Sequence, residues 1–66
     1  MELIMITRSK KLVASNPREE LPSGHYMKFD SEDDPGAYLL FSRSGKVYRV
    51  RKQDLEEAIE EGYVKA

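Results

Sequence analysis

Apolar and polar positions alternate most clearly over Ala37 to Arg51, where two runs rich in aromatic and branched residues flank Ser44-Gly45. Period-2 alternation on both sides of a turn pair predicts a β-hairpin. With a two-residue turn at Ser44-Gly45, Phe41 faces Tyr48, Leu40 faces Arg49, Leu39 faces Val50 and Tyr38 faces Arg51. This register sends Leu39, Phe41, Tyr48 and Val50 to the core. It sends Tyr38, Leu40, Val47, Arg49 and Arg51 to the other face.

The remaining pattern adds shorter elements. Glu2 to Thr7 reads as a strand. Its run Leu3-Ile4-Met5-Ile6 is apolar on both faces, which places it between other elements rather than at an edge. After a polar turn at Arg8-Ser9-Lys10, Lys11 to Ala14 reads as a second short strand, with a helix over residues 9–15 as the competing reading. Ser15 to Gly24 reads as a loop, punctuated by Pro17 and Pro22 and anchored inward by Leu21. His25 to Phe29 forms a third strand, and Asp30 to Gly36 an acidic turn. At the end, Asp54 and Glu57 have the spacing of an N-cap and its capping-box partner. Leu55, Ala58 and Ile59 then form one apolar stripe of a helix about two turns long. Gly62 stops it, and Tyr63 or Val64 folds back on the stripe. The expected fold is mainly β: a curled antiparallel sheet or small barrel of five strands with one short C-terminal helix, a single domain over residues 1–66.

Composition narrows the chemistry. The 66 residues contain no cysteine and one histidine, His25. Disulfides and cysteine-based zinc sites are therefore excluded, and the chain suits a reducing cytoplasm. A lone imidazole is read as a surface or strand-start residue, with no metal or other cofactor expected. The acidic run Asp30-Ser31-Glu32-Asp33-Asp34 departs from calcium-loop spacing and reads as a solvated turn. Mimicry of nucleic-acid phosphates by Asp33 and Asp34 is a lesser reading. Glu56, Glu57, Glu60 and Glu61 fall on the outside of a short helix, without the desolvated pocket that separates acid from base. A non-enzymatic protein is expected. No stretch approaches the roughly 20 apolar residues of a membrane span, and the N-terminal run lacks the form of a signal peptide.

The net charge of −1 conceals an uneven distribution. Residues 37–53 carry five basic groups and no acidic ones, between two acid-rich segments. The candidate partner-binding residues are Tyr38, Leu40, Arg43, Lys46, Arg49 and Arg51. Tyrosine and arginine are enriched in protein-binding hot spots. The same groups, extended by Lys10 and Lys11, are the alternative for binding nucleic acid, with cations on phosphates and Tyr38 stacked on a base. Stacking of Tyr38 on Arg51 could instead be structural, contributing about 0.5–1 kcal/mol. The small net charge favours a protein partner over a nucleic acid.

From Val13 onward, the order of features resembles an SH3-like barrel. Val13-Ala14-Ser15-Asn16-Pro17-Arg18-Glu19-Glu20-Leu21 is similar to the long loop between its first strands. Ser23 to Phe29 resembles the strand that follows, Asp33-Asp34-Pro35-Gly36 the next loop, and the hairpin with Asp54-Leu55 the closing elements. The resemblance implies architecture only. With no tryptophan and no tyrosine ahead of the loop, recognition of proline-rich peptides does not carry over. Ser44-Gly45-Lys46-Val47-Tyr48-Arg49-Val50, followed by a helix and Gly62-Tyr63, looks like the endings of small phage-encoded domains. That likeness implies an origin in a mobile element and names no target; the expected protein is a binding module, an inhibitor or adaptor of such an origin.

Overall fold

The computed structural model describes residues 2–8, 12–15 and 18–66. Arg18–Glu20 is a strand where the sequence reads as a loop, and Val64–Lys65 adds another, so among the described residues seven strands and one helix follow in order. They are β1 (Glu2–Ile6), β2 (Val13–Ser15), β3 (Arg18–Glu20), β4 (Gly24–Asp30), β5 (Ala37–Ser42), β6 (Val47–Arg51), α1 (Lys52–Glu61) and β7 (Val64–Lys65). The fold is mainly β, as its patterning predicts. An antiparallel five-stranded sheet runs β6-β5-β4-β1-β7, and β2 and β3 form a separate ribbon.

β1 does lie between two neighbours. It pairs with β4 along its whole length and with β7 at Met5 and Ile6. Ile4 and Ile6 point into the core, and Leu3 points away from it. Val13–Ser15 is extended rather than helical. The predicted turn at Ser9-Lys10 and the strand start at Lys11 lie outside the described residues. β3 carries three charged side chains and so has no apolar pattern to betray it. Backbone pairing fixes it instead: Val13 opposes Glu20, and the Leu21 amide donates to the Leu12 carbonyl at 3.1 Å. The Ser15 hydroxyl donates to the Arg49 carbonyl at 3.2 Å, and Glu19 meets the Lys46 ammonium at 2.6 Å. These contacts lay the ribbon along β6.

The core is one cluster on one side of the large sheet. Ile4, Ile6, Tyr26, Leu40, Tyr48, Val50 and Val64 come from the sheet; Leu12, Ala14 and Leu21 from the ribbon and its flanks; Leu55 and Ala58 from α1. Tyr26 and Tyr48 meet edge to face at 6.0 Å, and the Tyr26 hydroxyl donates to the Pro22 carbonyl. Aromatic edges and a satisfied hydroxyl allow both tyrosines to be buried.

α1 begins at Lys52, three residues before the start that an N-cap at Asp54 implies. Arg51 occupies the N-cap position and makes no side-chain cap. Asp54 is inside the first turn, where its carboxylate accepts from the Arg51 guanidinium at 3.0 and 3.1 Å and complements the helix dipole. Leu55 and Ala58 are buried, but Ile59 is 37% exposed, so the stripe is narrower than its spacing implies. Gly62 stops the helix in the left-handed conformation at φ 93°. Val64 folds back and is buried, and Tyr63 packs against the core.

Candidate partner-binding face

The hairpin turn decides which residues are available to a partner. Among the described residues only glycines have positive φ, Gly45 among them at 92°. A two-residue type I′ turn requires positive φ at both central positions, and Ser44 does not supply it. The chain instead uses the three-residue loop Arg43-Ser44-Gly45. The Gly45 amide donates to the Ser42 carbonyl at 3.0 Å, and Ser42 and Lys46 bond across the neck. This is a type I turn closed by a left-handed glycine.

The consequence is a register shifted by one residue from the predicted one. Phe41 opposes Val47, Leu40 opposes Tyr48, Leu39 opposes Arg49 and Tyr38 opposes Val50. β6 keeps its predicted faces, whereas β5 turns over, as a one-residue slip requires. Leu40 is therefore fully buried and cannot touch a partner. Tyr38 also turns to the inner face, where it packs on the core with the Lys28 and Lys52 ammoniums 4.5 and 5.0 Å from its ring centre. The predicted Tyr38–Arg51 stack is replaced by these two lysines. Conversely, Leu39 and Phe41, predicted as core, lie on the outer face.

That face is apolar over several strands. Leu3, Met27, Phe41 and Val47 are successive cross-strand partners, forming one row over β1, β4, β5 and β6. The next row is Phe29, Leu39 and Arg49. Phe29 and Phe41 meet edge to face at 5.0 Å and link the rows diagonally. Leu3 is 58% exposed, Val47 41% and Phe29 36%. An open groove of about 380 Å³ runs past Leu3, His25, Met27, Phe41 and Arg43. A contiguous, exposed apolar area is the usual mark of an interaction surface.

The predicted cations divide. Arg49 is on this face, beside Leu39, with its guanidinium 3.9 Å from Asp34. Arg43 is in the turn at the groove's end. Lys46 reaches the ribbon, where Glu19 raises its pKa, and its ammonium lies 5.0 Å from the Tyr48 ring centre. Arg51 is held by Asp54, which raises its pKa. Lys10 and Lys11 lie outside the described residues. The sequence reading missed Leu3, Met27 and Phe29. Their signal was the coincidence of a four-residue apolar run in β1 with Met27 and Phe29 opposite the buried Tyr26.

Elsewhere, the acidic turn is a built loop. The Asp34 carboxylate accepts from the Gly36 amide at 3.0 Å, and the Ser31 hydroxyl accepts from the Asp34 amide at 3.3 Å. His25 is exposed on the outer side of β4, opposite Met5. Among the described residues, no three of His, Cys, Asp or Glu converge as metal ligands, and no helix is long and apolar enough to cross a membrane. Comparisons with family models, curated proteins and solved structures found no match, so the geometry of this face carries the functional reading.

Proposed function

We propose that the protein is a small non-enzymatic binding module that holds another protein on the outer face of its five-stranded sheet. The row Leu3, Met27, Phe41 and Val47 carries this reading, because it leaves four large apolar side chains on the face opposite the core. Leu39, Phe29 and Arg49 widen it, and Arg43 borders it. Such a module acts by occupying a partner's surface, as an inhibitor or adaptor does. Binding of nucleic acid draws less support. Lys28, Lys46, Arg49, Arg51 and Lys52 lie 2.6, 2.6, 3.9, 3.0 and 3.6 Å from carboxylates, which compete with phosphates.

Affinity capture from the native host tests the reading, comparing the wild type with Phe41→Ser combined with Val47→Ser. The double variant should stay folded and lose the captured partner. Full retention of the partner by a folded double variant would contradict it.

A further inference from the structure

Resting on that reading, we infer that the occupant is an amphipathic helix with carboxylates on both sides of its apolar stripe. Three features of the face select it. The first is length. The row from Leu3 to Val47 crosses three inter-strand spacings, about 14 Å in all, which matches about ten residues of helix.

The second is width. On one side of the row lie Arg43, at the groove's end, and Lys65, opposite Met5. On the other side lies Arg49, opposite Leu39. Four residues separate these flanks along the strands, about 13 Å. A helix with its side chains is about 10–12 Å across, so it fits between them.

The third is charge. The outward positions of the paired strands are Leu3 and Met5; His25, Met27 and Phe29; Leu39 and Phe41; Val47 and Arg49; and Lys65, with Ala37 buried and Arg51 drawn to Asp54 of α1. None is acidic. Two copies meeting face to face would oppose cation to cation, which disfavours self-association here. An occupant with acidic flanks meets complementary charge on both sides. The Arg49–Asp34 contact is long, at 3.9 Å, so a partner's carboxylate can compete for this guanidinium.

The test uses the isotope-labelled full chain and two synthetic helical peptides of about 14 residues. Both carry leucines at i, i+3, i+4 and i+7; one has glutamates beside the stripe and the other lysines. The glutamate peptide should shift the amides of Leu3, Met27, Phe41 and Val47 and bind at least about tenfold tighter than the lysine peptide. Arg43→Glu with Arg49→Glu should reverse that preference. Equal binding, a preference for lysine, or no binding by either peptide would overturn the inference. So would binding confined to anionic phospholipid vesicles. Partner capture is scored separately. A partner lost from the Phe41→Ser, Val47→Ser variant, with no preference between peptides, overturns the helix alone and leaves the binding face standing.

Discussion

Leu40 and Phe41 are neighbours with opposite duties. Leu40 is fully buried in the core cluster, opposite Tyr48, so Leu40→Ala should cost about 2–5 kcal/mol, enough to unfold much of a domain this small. Phe41 sits on the outer face, so Phe41→Ala should change the urea midpoint far less. The reverse order of effects would return Phe41 to the core. Tyr26 is a subtler case, because burial raises its pKa and its hydroxyl is bonded to Pro22. Tyr26→Phe should lose about 1 kcal/mol, measured by urea unfolding. Individual core residues were partly legible: Tyr48, Val50, Leu21 and Leu55 announce themselves by spacing. Leu40 and Phe41 do not, because both are large and apolar and only the register distinguishes them.

At the scale of elements, two left-handed glycines fix where chain segments end. Nothing lies within 4 Å of a Cβ added at Gly45 or Gly62, so alanine there is opposed by backbone conformation rather than by a clash. Gly45→Ala and Gly62→Ala should each cost about 1–2 kcal/mol in thermal or urea unfolding. Loss of stability well below that range at Gly45 would mean that the turn tolerates another geometry. The strands at Glu2, His25 and Ala37, the acidic turn and the helix stop were readable from alternation and punctuation. The loop length in the hairpin was not, since Ser-Gly serves both two-residue and three-residue turns. β3 was invisible for a different reason: its side chains are all charged, and only the backbone pairing with β2 makes it a strand.

Over the whole molecule, the sheet is two-sided in an unusual way: one face is closed by the ribbon and helix, and the other is left apolar and open. Of the five cations in residues 37–53, Lys46, Arg49, Arg51 and Lys52 pair with carboxylates. Glu2 and Lys28 pair at 2.6 Å, and the Lys28 ammonium holds the Glu2 carboxyl below its ordinary pKa. A lowered acid pKa contributes stability above the unfolded value near 4.5, lost as pH falls through the folded value. Glu2→Gln should therefore lose less stability than the wild type between about pH 6 and about pH 3, a small effect because the pair is solvated. An identical decline in both proteins would show that the pair is idle. The candidate site was half legible in the same sense. The sequence points to the hairpin's outer surface and to Arg49, but not to the rows contributed by β1 and β4, which exist only once four strands are assembled.

Cross-strand contacts in the hairpin, read from nuclear Overhauser effects on the labelled protein, probe the register on which the apolar face depends. Contacts between Phe41 and Val47 and between Leu40 and Tyr48 are expected, with Phe41 outward. Contacts pairing Phe41 with Tyr48 and Leu39 with Val50 would put Phe41 inside, dismantle the row from Leu3 to Val47, and contradict the binding face.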